Sequence, residues 1–528
     1  MSAAAKPIPA AAAHDAHDFS STRKWIIAFS VMLGTVLEVL DSSIVNVSLP
    51  HMQGSFSASV DEIAWVVTSY LVAAGIMIPL TGWIAERFGR KRYFIFSIAM
   101  FVISSALCGV AQSLNQIVFF RLMQGAAGAA MMPLSQAILM ETFPPREQAM
   151  AMAVWGIGMM VAPIMGPTIG GWITDAWSWR WNFYINVPIG SLAMFMVFRF
   201  VDDPSYMRER RKGKIDFIGI ACLFITLGVG EIVLDRGERA DWFHSSWVVY
   251  CTAIAIISLV VLIWHELRIE DPVIDLSILE KASFTLPVTL VIFLTFTLYG
   301  TAILNPIFLQ EVLGYTASKA GLVMAPRGFG TMFAMIILGI LARHGLDTRP
   351  LVGIGFILVG FAMWEMAGLN LASDSFRIIW PMVIQGVGTG LVFPSLSAAA
   401  LGSMEKYKMQ RAASLYSVTR NLGAAIGTSY LTTLLIHRQQ VQQSYLVEHV
   451  SVFSLPHMRM PGAAMSLAQQ FAMGERHGMA MLYGLVQRQA MMLSFNDIYR
   501  MLAVLMALMV PTFLFLKRDI RNLPVDAH

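Results

Sequence analysis

Residues 124–133 read QGAAGAAMMP, and residues 385–394 read QGVGTGLVFP. Gln, Gly and Pro recur at the same spacing, each time inside an apolar run. The run that follows agrees too: Gly166 and Gly170 in the first case are matched by Gly423 and Gly427 in the second. Small residues four apart let helix backbones approach closely. Two matched runs in the same order, fourth with fourth and fifth with fifth, imply a duplicated bundle of six helices.

Composition supplies the solvent for that bundle. The 528 residues are 56% hydrophobic and 13% charged, where soluble chains carry about 25% charged residues. Apolar runs of around 20 residues recur, enough to cross a hydrocarbon core of about 30 Å as helix. Their lack of two-residue alternation argues against a barrel. Spans are expected at 25–49, 64–84, 93–111, 116–140, 149–171, 182–201, 217–235, 246–265, 284–307, 318–341, 351–370, 378–402, 412–436 and 497–516. The fold class is therefore an all-α integral membrane protein. Spans seven and eight fall between the repeats, giving a 6+2+6 arrangement with parallel halves, which secondary transporters use for alternating access.

The expected domain map is a disordered cytoplasmic tail (1–24), a six-helix bundle (25–201), a two-helix insertion with its linkers (202–283), a second bundle (284–516) and a cytoplasmic tail (517–528). Most Lys and Arg fall in loops on one side, led by ERFGRKR (86–92) and RERRKGK (208–214). The positive-inside bias places that side, and both termini, in the cytoplasm. Segment 437–496 is then periplasmic. Its second part, 463–492, has apolar residues at helical spacing and could form a helical hairpin, and the segment is read as a lid, a surface for a periplasmic partner or a Met/His copper site, for which no compact motif appears.

Charges inside the spans mark the chemistry. Glu38 and Asp41 are three apart, on one face of span one, where a carboxylate costs roughly 2.5–3.5 kcal/mol on insertion scales. Burial and mutual repulsion favour protonation of one of them, and a nearby Arg favours ionisation. That competition makes both candidates for proton coupling. Arg121 enters span four to about 8 Å depth by helical rise, level with Asp41, so the two are expected to pair. Span nine is uncharged from Phe284 to Phe308, which makes the site asymmetric. Glu231, Glu365, Arg327 and Arg420 are secondary intramembrane charges. Span five carries Gly156, Gly158, Pro163, Gly166, Pro167, Gly170 and Gly171, a composition suited to a kinked helix at a moving interface.

Other classes find no support. Cys108, Cys222 and Cys251 stand singly without metal or disulfide spacing. GVGTG at 386–390 follows no strand, and no Walker A sequence is present, so neither nucleotide binding nor ATP hydrolysis is expected. No cofactor is expected, only a proton gradient as energy source. No nucleophile with a partnered base appears, which argues against an enzyme.

Several stretches resemble the major facilitator superfamily, and specifically its fourteen-span drug:proton antiporters of the EmrB type. LDSSIVNVSLP (40–50), GWIAERFGRKR (82–92), RLMQGAAGAA (121–130) and GIGMMVAPIMGPTIGG (156–171) are similar to its span-one, loop, span-four and antiporter motifs. WRWNFYINVPIG (179–190), LQEVLGYTASKAGLVMAPRG (309–328) and LDRGERADWF (234–243) are similar to fourteen-span members. The resemblance implies proton coupling at Asp41 and Arg121 and an inner gate at Gly82, Glu86, Arg87, Gly89 and Arg90. Glu86 departs from the usual Asp of that gate, and Glu38 lies outside the pattern. It also implies export of hydrophobic small molecules from the bacterial inner membrane, with a periplasmic membrane-fusion protein and an outer-membrane channel as partners. Rival expectations are an exporter of one endogenous metabolite or siderophore, and a transporter-like receptor or scaffold.

Overall fold

The structure, a computed structural model, describes residues 21–144, 147–203, 216–238, 240–269, 272–343, 347–449 and 475–516. Among these residues there are helices and loops but no strand. The long helices of the first half are α1 (Ser21–Phe56), α2 (Trp65–Phe88), α3 (Arg90–Val110), α4 (Leu114–Thr142), α5 (Gln148–Ala176) and α6 (Trp181–Phe200). Two inserted helices follow, α7 (Phe217–Arg236) and α8 (Ser246–Glu266). The second half comprises α9 (Ala282–Ile307), α10 (Ala317–Arg343), α11 (Arg349–Met366), α12 (Ser375–Gly402), α13 (Met409–His449) and α14 (Glu475–Met509). Among the described residues, thirteen helices are long and apolar enough to cross a membrane. The more polar α13 makes the fourteenth, wedged among α2, α9 and α14.

The repeated glycines explain the packing. A Cβ on Gly125 would lie 2.2 Å from the Tyr70 carbonyl oxygen, and one on Gly386 2.1 Å from that of Arg327. Each joins the fourth helix of a half to its second helix at backbone contact. Likewise Gly166 and Gly170 of α5 press on Ser43 and Ile44 of α1, while Gly423 and Gly427 of α13 press on Ile292 and Phe296 of α9. Any larger side chain would force these pairs apart. Gly158 of α5 lies against Met32 of α1, and Gly171 has only Val47 near. α5 runs through its glycines and Pro163, itself exposed, as one helix.

The halves meet where α2 touches α13 and α5 touches α10. Contacts gather toward the end bearing the basic loops, here the basic end. A Cβ on Gly82 would lie 2.9 Å from Arg411 Cα, and Ser414 Oγ donates to the carbonyls of Ile78 and Pro79. Gly156 faces Met335, and Gly339 faces Met150. Toward this end, residues 131–140 of α4 and 388–397 of α12 are buried without exception. Near the opposite end Tyr299 and Ile303 of α9 and Ile426 and Tyr430 of α13 are exposed. This conformation is sealed at the basic end.

Several boundaries differ from expectation. α1 begins at Ser21, so the tail's last residues are helical; residues 1–20 and 517–528 lie outside the described residues. The described parts of segment 437–496 belong to two long helices, and residues 450–474 lie outside the described residues. The segment's first part continues α13 to His449, and from Glu475 onward it belongs to α14. The expected hairpin at 463–492 falls partly outside the described residues, and its remainder is this single helix. The apolar spacing there serves core packing: Met492 and Phe495 are buried, and the Phe495 ring meets Phe308 edge-on at 5.2 Å.

Candidate functional site

Five helices of the first half converge on one carboxylate. Asp41 on α1 is fully buried, as is Arg121 on α4 at 1% exposure. Arg121 Nη1 donates to Asp41 Oδ2 at 2.6 Å. Asp41 Oδ1 accepts from Gln124 Nε2 at 2.9 Å and from Asn186 Nδ2 of α6 at 2.6 Å. Arg121 also donates to Gln124 Oε1 at 2.8 Å and to the Val66 carbonyl at 3.1 Å, and lies 4.2 Å over the Tyr70 ring. Asn186 donates on to Ser105 of α3 at 3.0 Å. A buried charge pair is tolerated only when its remaining lone pairs and protons are satisfied in this way.

The second half repeats the scaffold without the charge. Gln385, equivalent to Gln124, donates from Nε2 to Thr301 Oγ1 of α9 at 3.0 Å. Thr301 thus occupies the role that Asp41 has in the first half, and this position is ionisable in the first half alone.

Glu38 stands outside this network. It is half-buried, its Oε2 takes no hydrogen bond, and the charge acting on it from the other half is Arg420. Arg420 is 4% exposed, with Nε and Nη1 unpaired. Arg327 is half-buried near Tyr299 and Tyr499. Glu231 of α7 points at Gly75 of α2, in the seam between insertion and bundle. Glu365 lies in the last turn of α11, within a candidate membrane span, and its side chain is exposed at the surface of the bundle.

The expected gate residues divide. Glu86 Oε2 accepts from Arg411 Nη2 at 2.9 Å, and with Gly82 it reaches the other half. Arg90 instead binds Glu141 of α4 at 2.6 Å, and Gly89, at φ +93°, lets the chain turn beside Asp203. Arg87 lies 5.5 Å over the Trp83 ring of its own helix. Two further cross-links at this end join the loop before α9 to the loop before α13: Asp275 with Lys408 at 2.9 Å and Lys281 with Glu405 at 2.9 Å. Burial raises the Asp275 carboxyl, but hydrogen bonds from Ser277 and Lys408 outweigh this and hold it below its usual range.

Sequence reading missed Asn186, Tyr70 and Ser105 because neutral polar side chains carry no cost signal in an apolar run. The clue was Asn186 itself, one of two amides, with Asn182, in the apolar start of α6.

The family model described as Major Facilitator Superfamily matches residues 31–428. Multidrug export protein EmrB of Escherichia coli (strain K12) is 37% identical, over 90% of this chain and 92% of its own length. Fatty acid resistance protein FarB of Neisseria gonorrhoeae is 32% identical, over 92% and 94% respectively. A solved structure of the proton:xylose symporter XylE shares the fold, with TM-score 0.60 at 14% identity, covering 95% of this chain and 97% of that one. Helices, duplicated halves and relatives agree: the chain is a multi-pass membrane protein and a transporter of the Major Facilitator Superfamily, in its EmrB-type family of permeases.

Proposed function

We propose that this chain is a proton-driven antiporter that exports hydrophobic drugs or other toxic compounds across the bacterial inner membrane by alternating access. The observation that carries this reading is the Asp41–Arg121 pair, whose side chains are 0% and 1% exposed. The roles of EmrB and FarB, multidrug export and fatty acid resistance, favour amphipathic cargo.

Protonating Asp41 removes the charge that Arg121 faces and leaves the guanidinium to seek other acceptors. That is a local charge event able to bias a two-state element. The element is at hand: Ser43 and Ile44, next to Asp41 on α1, bear on Gly166 and Gly170 of α5, and α5 meets α10 of the other half. The seal at Gly82, Glu86 and Arg411 would then part as the opposite end closes. One charge moving through about 150 mV supplies about 3.5 kcal/mol, enough to concentrate a neutral solute several-hundred-fold.

The basic end faces the cytoplasm by the positive-inside bias. α13 is 41 residues long, about 60 Å of helix against a core of about 30 Å. With α14 beside it, this extension suits docking by a periplasmic membrane-fusion protein joined to an outer-membrane channel.

Reconstituted vesicles test the reading. Under an imposed pH gradient, several chemically unrelated hydrophobic compounds should each stimulate proton flux. A response to a single compound would favour a dedicated metabolite or siderophore exporter, and no substrate flux at all would favour a receptor or scaffold.

A further inference from the structure

Asp41 is fully buried and already held by Arg121, Gln124 and Asn186. Glu38, three residues earlier on α1, has a buried oxygen with no hydrogen bond. Across the midline Arg420 of α13 has two unpaired nitrogens, and its Nη2 makes a long hydrogen bond of 3.4 Å to the neighbouring Asn421 Oδ1. No hydrogen bond or ion pair joins Glu38 to Arg420, although the field of one reaches the other.

Packing places both at the floor of the space between the halves. Val418 of α13 packs on Ala74, Ile78 and Ala129. Tyr70, one turn from Ala74, has its hydroxyl against Gly128 and shares its surroundings with Glu38. Arg420 is six residues past Ser414 of the seal, about 9 Å by helical rise. α9 brings no charge to this space, because Phe284 to Phe308 are all uncharged. Exposed Ile426 and Tyr430 continue the same helix upward as an apolar wall.

We propose that Glu38 and Arg420 are the two poles of a binding site for zwitterionic amphiphiles, taking a cationic group at α1 and an anionic group at α13. This rests on the space between the halves being the transport path. Buried polar atoms without partners are costly. A zwitterion satisfies both poles, a singly charged amphiphile leaves one unpaired, and a neutral one leaves two. The ligand's charges also bridge the two halves, so its binding bears directly on their relative position.

The test uses the full chain in lipid nanodiscs at fixed pH without a gradient. Calorimetry compares four octyl probes: N-octyl-N,N-dimethylglycine, octyltrimethylammonium, octanoate and octyl glucoside. The zwitterion should bind about tenfold tighter than either singly charged probe. Glu38→Gln should erase its advantage over octanoate, Arg420→Gln its advantage over octyltrimethylammonium, and Glu38→Asp should retain the ranking. Octyl glucoside should be unaffected throughout. Equal binding of all four probes by the native chain would overturn the proposal, as would variants that weaken octyl glucoside as much as the zwitterion. Because no gradient is involved, a failure here leaves proton coupling at Asp41 standing, and a failure of coupling leaves this ranking standing.

Discussion

Neutralising Glu86 should open the basic end. Its Oε2 accepts from Arg411 Nε and Nη2, both at 2.9 Å, with the two side chains 10% and 7% exposed. Breaking a buried pair by removing one partner costs about 3–5 kcal/mol. Gln keeps a neutral acceptor in place, so about 2–3 kcal/mol is the working figure for Glu86→Gln. The contact joins opposite halves, so the cost falls on the sealed state alone, and the sealed-to-open ratio should drop about 30- to 150-fold. Spin labels at exposed Phe88 and Ser403, in a background lacking Cys108, Cys222 and Cys251, report the separation of the halves. Glu86→Gln should move population to longer distances, and the charge-swapped Glu86→Arg with Arg411→Glu should move it back. An unchanged distance distribution in Glu86→Gln would refute the assignment of this pair to the seal.

Gly125→Val should lower the melting temperature of the purified chain strongly, because its side chain would enter the Tyr70 carbonyl at 2.2 Å and overpacking costs about 1–3 kcal/mol or more. Gly230→Ala, which has nothing within 4 Å, should leave it unchanged. Asn186→Ala should destabilise by about 1–3 kcal/mol, since it strips hydrogen bonds from both Asp41 and Ser105; an unaltered thermal transition would argue against the network. The Asp275–Lys408 link predicts acid sensitivity. A folded-state carboxyl held below its usual range adds stability above the unfolded value of about 3.9 and loses it as pH falls lower. Unfolding curves of native chain and Lys408→Met should therefore differ at pH 6 and converge below about pH 4.

The architecture was legible because it is written in backbone approach. Gly125 and Gly386, or Gly166 and Gly423, recur wherever two helices touch without side chains between them, and a repeat of small residues survives in the sequence as spacing. Asp41 and Arg121 were legible from depth alone, since each is an ionised group in an apolar run and helical rise puts them level. Gln124 was visible as part of the repeat, but its partners, Asp41 and Cys108, follow from how α4 packs against α1 and α3, which no single run reveals. The outer parts of α13 and α14 looked unlike spans because their polar residues, interspersed with packing residues such as Phe495, lower the average of helices that run on from the membrane.

The account stands or falls on Asp41 carrying the coupled proton. In vesicles holding the full chain, dye efflux and internal pH are followed together for the native protein and for Asp41→Asn. Asn approximates the protonated carboxyl in shape and charge, so the variant should exchange dye down its own gradient while neither moving protons nor responding to an imposed pH gradient. Dye efflux by Asp41→Asn that still tracks the pH gradient and still moves protons would contradict the mechanism.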